Sequence, residues 1–197
     1  MKKKLGLLAL VFTLTTNTMA KEKGFDITRE ITINVSAAKL WNMVGPGFVE
    51  VYKWSSNVDH AEGAGNPEFE GASCSERYCD VNVKGFTAIS EKLTEYDENS
   101  MVLAYEVKSG MPKFVTKALN QWTVSSVGEN KSKLTMKAVF RSKGMMGSLM
   151  NGMMKKKMQS TLETVLNDAK VYAETGKVSK AKAERMAEIG DKLKVAA

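Results

Sequence analysis

The chain of 197 residues carries 29 Lys and Arg against 22 Asp and Glu, one His, two Cys and 43% apolar residues. That length and apolar content suit one domain with its own core. The basic residues are scattered among acidic ones instead of forming a dense face interleaved with aromatics, which argues against a nucleic-acid partner. Two cysteines without a histidine cluster argue against a zinc site.

Met1-Lys2-Lys3-Lys4 opens the chain, an apolar run over residues 5–12 follows, and Thr18-Met19-Ala20 precedes the charged Lys21-Glu22-Lys23. Positive start, apolar middle and small-residue end are the order of a secretion signal, with cleavage expected after Ala20. The run is far short of the ~20 residues that span a bilayer, and no Cys follows the cleavage point to take a lipid. Without Lys2, Lys3 and Lys4 the 29 basic residues become 26 against 22 acidic ones, a net +4. The expected location is the periplasm or the cell exterior.

Residues 27–35 alternate apolar and polar with only Arg29 out of step, the pattern of a strand with one apolar face. Ser36 is a natural N-cap for a helix over residues 37–44, with Leu40, Trp41 and Val44 on one face. Gly45-Pro46-Gly47 stops it, and residues 48–54 read as a second short helix. Residues 57–64 read as a strand, and a glycine-rich loop occupies 63–71. Strands are predicted over 72–83, 85–96, 101–107, 114–127 and 134–141, with polar turns at 97–100 and 128–131. Residues 144–175 form a long amphipathic helix, with Met150, Met153, Met154, Met158, Leu162, Val165, Ala169 and Tyr172 at three- and four-residue steps. Gly176 is placed to end it. Residues 177–197 are Lys- and Ala-rich and read as a loose helix or a disordered tail.

Cys74 and Cys79 are five residues apart. In one continuous strand they would face opposite sides and lie about 17 Å apart, beyond disulfide reach, so a bridge needs a bend over residues 75–78. A bridge and two separate thiols are both open. The expected organisation is a signal at 1–20, a domain at 21–176 and a tail at 177–197. The fold class is α+β: a curved antiparallel sheet has one face to cover, and the long helix is the element of sufficient length. Wrapping a sheet around one helix leaves a space between them, where a ligand would go.

Val35-Ser36-Ala37-Ala38-Lys39-Leu40-Trp41, Gly71-Ala72-Ser73 running into Glu76-Arg77, residues 91–97 and residues 103–107 together resemble the START-like (SRPBCC) superfamily and, within it, the polyketide cyclase/dehydrase-like group. The likeness spans residues 25–172. It implies the helix-grip fold, two short helices after the first strand, and an apolar or amphipathic small molecule held between sheet and long helix. Some proteins of this kind are cyclases or hydratases and others carry lipids, sterols, quinones or hormones, so the likeness does not settle the chemistry.

Thirteen methionines occur, and Met145, Met146, Met150, Met153, Met154 and Met158 fall within fourteen residues. Met is flexible and polarizable, so a wall built from it moulds to ligands of different shape. Met146, Met150, Met153 and Met154 are therefore candidate ligand contacts, and from Met158 onward an ordinary core stripe is preferred. A membrane-docking patch beside Lys155, Lys156 and Lys157 is a minor variant. Arg77 and Glu91 match charged positions of the family. Facing the cavity, Arg77 would hold a ligand carboxylate or carbonyl with Glu91 orienting it; facing outward, they would be a solvent-exposed cross-strand pair. His60, the only histidine, is a weak catalytic candidate beside Asp59 and Glu62. Trp54, Tyr105, Trp122 and Phe140 are core or cavity-wall aromatics. No metal ligand set and no cofactor motif is evident.

The expected function is sequestration or carriage of a hydrophobic small molecule such as a lipid, a quinone or an aromatic polyketide-like compound. A cyclase or dehydratase using His60 or Glu91 as base is the runner-up. A third reading docks the Met-rich face on another protein and predicts no enclosed cavity.

Overall fold

Ser36 lies in extended backbone and its hydroxyl accepts a hydrogen bond from Lys39 N at 3.3 Å, so α1 (Ala37–Val44) begins at its N-cap. Leu40, Trp41 and Val44 are its buried residues, one turn apart on the face the spacing predicts. Gly45 closes the helix: its N–H donates to Trp41 O at 2.7 Å, and a Cβ there would lie 2.6 Å from the Trp41 indole. Phe48–Lys53 is a single 3-10 helix, one residue shorter than expected.

The computed structural model describes residues 22–196, with side chains through residue 190. The expected signal at 1–20 lies outside the described residues. Seven strands form one antiparallel sheet: β1 (Lys23–Ile33), β2 (Val58–Ala64), β3 (Glu76–Val83), β4 (Phe86–Asp97), β5 (Val102–Ser109), β6 (Val115–Gly128) and β7 (Lys131–Ser142). Their spatial order is β1-β7-β6-β5-β4-β3-β2, so α1 and the 3-10 helix carry the chain from one sheet edge to the other. Register shifts interrupt the β4–β5 ladder between Ser90 and Glu91 and again between Leu93 and Glu95. Such bulges bend a strand and add twist, which curls the sheet into a trough.

The strand expected over residues 72–83 begins only at Glu76. The four residues before it turn after Gly71, which takes φ +80°, and Ser75 O accepts from Leu93 N. In the other strands the alternation locates the buried face: Leu134, Met136, Ala138 and Phe140 of β7 are at most 2% exposed. Arg29, out of step in β1, lies on the helix side of this edge strand and reaches Glu163 at 3.0 Å.

Into the trough packs α2 (Gly144–Thr175), with the limits the periodicity predicts. Gly176 ends it in the left-handed region at φ +69°, its N–H bonded to Tyr172 O at 2.8 Å. Leu162, Val165, Leu166, Ala169 and Ala173 are its buried apolar residues in the second half.

The tail is ordered into α3 (Lys180–Ala196) and is docked on the domain. Asp168 of α2, 2% exposed, accepts from Ser56 N and Ser56 Oγ, each at 2.7 Å, and from the Ser179 hydroxyl. Lys182, 3% exposed, donates to Val58 O at 2.8 Å, and Arg185 Nε meets Asp59 Oδ1 at 2.9 Å. Burial lowers the Lys182 pKa, against the raising influence of Asp59 and Asp168. Lys182 and Arg185 thus look solvated in the sequence yet act as anchors, their acceptors lying 124 and 126 residues away.

Both cysteines are free and buried. Cys74 sits in the bend before β3, near Gly63, whereas Cys79 is in β3 and faces the trough. No disulfide forms.

Candidate functional site

A cavity of about 150 Å³ lies between α2 and the concave face of the sheet. Met154, Met158, Leu162 and Val165 of α2 form one wall; Val81, Ile89, Val107, Ala118 and Met136 of the sheet form the other. Val83, Phe86 and Met111, next to the β3–β4 and β5–β6 turns, contribute with Lys157 at the rim. The Lys157 ammonium sits 5.2 Å from the Phe86 ring centroid, and burial together with Lys84 lowers its pKa.

The polar centre is Arg77 of β3 and Glu91 of β4, directly cross-strand partners and each 4% exposed. Strand parity puts them there: Arg77 shares its face with Cys79, and Glu91 shares its face with Ile89 and Leu93. Arg77 Nε and Nη2 both donate to Glu91 Oε2, at 2.8 and 2.6 Å. Nη1 donates to Phe48 O, so the 3-10 helix fixes the third corner of the guanidinium. Its carbon lies 3.7 Å from the Phe48 ring centroid and 5.2 Å from that of Tyr105. A cation between two aromatic faces and a carboxylate has almost no freedom.

Burial alone would lower the Arg77 pKa, but the Glu91 charge, with Cys79 and Tyr105, reverses this and raises it. The Cys79 thiol lies 3.8 Å from Glu91 Oε2 and is pushed up to about 12, chiefly by burial, with Arg77 opposing and Glu91 adding. Burial and then the Glu91 charge also raise the Tyr105 phenol. At neutral pH the centre therefore holds one ion pair with a neutral thiol and a neutral phenol. Asn120 and Trp122 of β6 continue this wall, and the Trp122 indole Nε1–H is buried with no hydrogen-bond partner among the described residues.

The expected site residues divide. Arg77, Glu91, Tyr105, Trp122 and Met154 line the cavity. Met150 is half-buried and packs against the core. Met146 and Met153 do not face the cavity: they are 51% and 55% exposed, because they lie a quarter-turn round α2 from Met154, off the stripe that Met158 and Val165 continue. Met158, read as a core residue, lines it instead. Trp54 and Phe140 are core residues, at 2% and 1% exposure, with Phe140 stacked on Phe25 at 4.9 Å. His60 is exposed on β2, bonded to Glu62 at 2.9 Å, and takes no part in the cavity; Asp59, on the other face, binds Arg185. Cys79, Asn120 and Met136 also line the cavity, beyond the expected contacts. Asn120 was findable, as a polar residue on the same strand parity as Ala118 and Trp122.

An antiparallel sheet gripping a long C-terminal helix, with short helices after the first strand and an apolar cavity between, defines a helix-grip protein of the START-like class. The family model for polyketide cyclase / dehydrase and lipid transport matches residues 24–174, and the chain belongs to that family. Among solved structures, the Zhui aromatase/cyclase from Streptomyces sp. R1128 superposes with a TM-score of 0.60 at 13% identity, over 81% of this chain and 100% of that one. A START superfamily protein from Mycobacterium smegmatis gives 0.54 at 15%, over 73% and 98%. Norcoclaurine synthase from Thalictrum flavum, in complex with dopamine and hydroxybenzaldehyde, gives 0.56 at 14%, over 84% and 94%. These likenesses establish the fold. No curated protein matches. The family and fold are those of hydrophobic small-molecule binding.

Proposed function

We propose that this protein is an exported carrier that takes a hydrophobic small molecule into the cavity between sheet and α2 without transforming it. The observation that carries the reading is an apolar chamber with one internally neutralised polar centre. Apolar walls stabilise a guest by about 25 cal/mol per Å² removed from water, and Arg77, Tyr105 or Asn120 would fix its orientation. A space of about 150 Å³ suits a guest about the size of one aromatic ring. A lipid, a quinone or a polycyclic polyketide-like molecule needs that space widened, and Met111, Met136, Met154 and Met158 are the unbranched side chains able to move. The neighbour from Thalictrum flavum binds single-ring compounds in the same fold, which agrees with the smaller size class.

Native mass spectrometry of the mature protein, followed by identification of any released compound, tests this. Met154→Asp should abolish uptake, and unchanged binding by that variant would sink the assignment. A cyclase- or dehydratase-type reaction is the second reading, favoured only by Glu91 facing the cavity. Its Oε2 is already committed to Arg77 and Cys79. Turnover lost in Glu91→Gln with binding retained would establish that reading over carriage.

Export rests on residues 1–20; the mature chain should begin at Lys21, which N-terminal sequencing of protein recovered from the cell reads directly. We further propose a transient membrane contact. Met145, Met146, Leu149 and Met153 are 84%, 51%, 75% and 55% exposed on the first half of α2, beside the exposed Lys155 and Lys156. An apolar stripe with flanking cations suits an anionic lipid surface. Sedimentation with anionic vesicles should fall in Leu149→Asp, and equal sedimentation by that variant would remove the contact.

A further inference from the structure

The deep end of the cavity holds two opposite charges that satisfy each other. Glu91 Oε2 takes both Nε and Nη2 of Arg77, and neither charge is left to be balanced by a guest. Of the five guanidinium N–H groups, these bonds and the one to Phe48 O use three. The other polar groups there are neutral: the Cys79 thiol, the Tyr105 phenol, the Asn120 amide and the unpartnered Trp122 indole N–H.

We infer that this end of the cavity selects an uncharged oxygen acceptor, such as an amide, ketone or aldehyde carbonyl on a ring, and rejects a carboxylate of the same shape, with Glu91 as the residue that sets this selectivity. The inference rests on the cavity-binding reading above. A guest carboxylate would place a second negative charge beside Glu91, itself only 4% exposed, where the repulsion is weakly screened. It would also have to draw Arg77 from Glu91 Oε2, which accepts two of its N–H groups, and from the aromatic faces that hold it. A carbonyl oxygen accepts from the remaining guanidinium N–H groups or from Trp122 without disturbing the pair. Among the described residues, Lys157 at the rim is the one cation of the wall outside this pair, and it could hold an anionic group at the mouth.

Calorimetric titration of Lys157→Gln protein with benzamide and with benzoate reads the deep end alone. Benzamide should bind on the order of 100-fold tighter. Equal or tighter binding of benzoate overturns the selectivity while leaving the cavity reading intact. Failure of both ligands to bind overturns the ring-sized carrier reading and the selectivity with it. Adding Glu91→Gln removes the negative charge and should reverse the ranking; a ranking that stays unchanged in the folded double variant shows that Glu91 does not set it. If that variant does not fold, the pH profile of the Lys157→Gln protein decides. Benzoate affinity should rise as the ligand is protonated while benzamide affinity stays level, and a flat benzoate profile rejects the inference.

Discussion

The two halves of α2 are one continuous helix with opposite relations to the domain. Its last sixteen residues bury Leu162, Val165, Leu166, Ala169 and Ala173 together with the Asp168 carboxylate; its first sixteen bury only Gly147 and Met154 and expose Met145 and Leu149 to 84% and 75%. The far half is clamped to the sheet, to the segment after the 3-10 helix and to α3. The near half forms part of the cavity lid with few fixed contacts. Stability is unevenly distributed in folded proteins, and binding elements come from the weaker end. Here a single helix supplies both a fixed end that sets the position of the wall and an end free to accommodate a guest.

The largest effect expected from this contrast comes from truncation at equivalent residue types. Leu166→Ala, in the clamped half, should cost roughly 3 kcal/mol, whereas Leu149→Ala should stay within about 0.5 kcal/mol. Urea unfolding of both variants measures this, and similar losses would remove the contrast. Asp168→Asn should cost about 2 kcal/mol, because Ser56 N, Ser56 Oγ and Ser179 Oγ would lose the charge they share. Loss of α3 protection in amide exchange would locate that effect. Gly152 has nothing within 4 Å of its would-be Cβ, so Gly152→Ala should stabilise by roughly 0.5–1 kcal/mol and slow exchange in the first half of α2. The smallest effect is expected for Glu163→Ala: its pair with Arg29 is 57% and 33% exposed, so a loss below about 0.5 kcal/mol is expected in the same urea series.

Local periodicity explains why α1, α2 and the strand faces were legible before the structure. Ser36, Gly45 and Gly176 mark helix ends through backbone chemistry that depends on a few neighbouring residues. Arg77 and Glu91 were legible as a pair, and the inward face became evident only when Cys79, Ile89 and Leu93 were seen to share their parity. Methionine density and three- or four-residue spacing together do not separate the cavity wall of α2 from its flank. Met154, Met158 and Val165 recur at four- and seven-residue steps on one face, and Met146 and Met153 fall outside that stripe. The role of α3 was hidden for a different reason: Lys182 and Arg185 depend on Val58 and Asp59, and no local pattern connects positions so far apart.

The first strand pairs with the last. Lys23 is opposite Ser142 and Ile33 is opposite Ser132, so β1 has no partner until β7 has been made. During synthesis that delay covers about 100 residues, or roughly 5–20 s at ~5–20 residues per second. Throughout that interval the sheet lacks one edge strand and α2 does not yet exist to fill the trough. The emerging chain thus completes its sheet only after β7 has been made, so an early strand waits on a late one before that edge of the trough is closed.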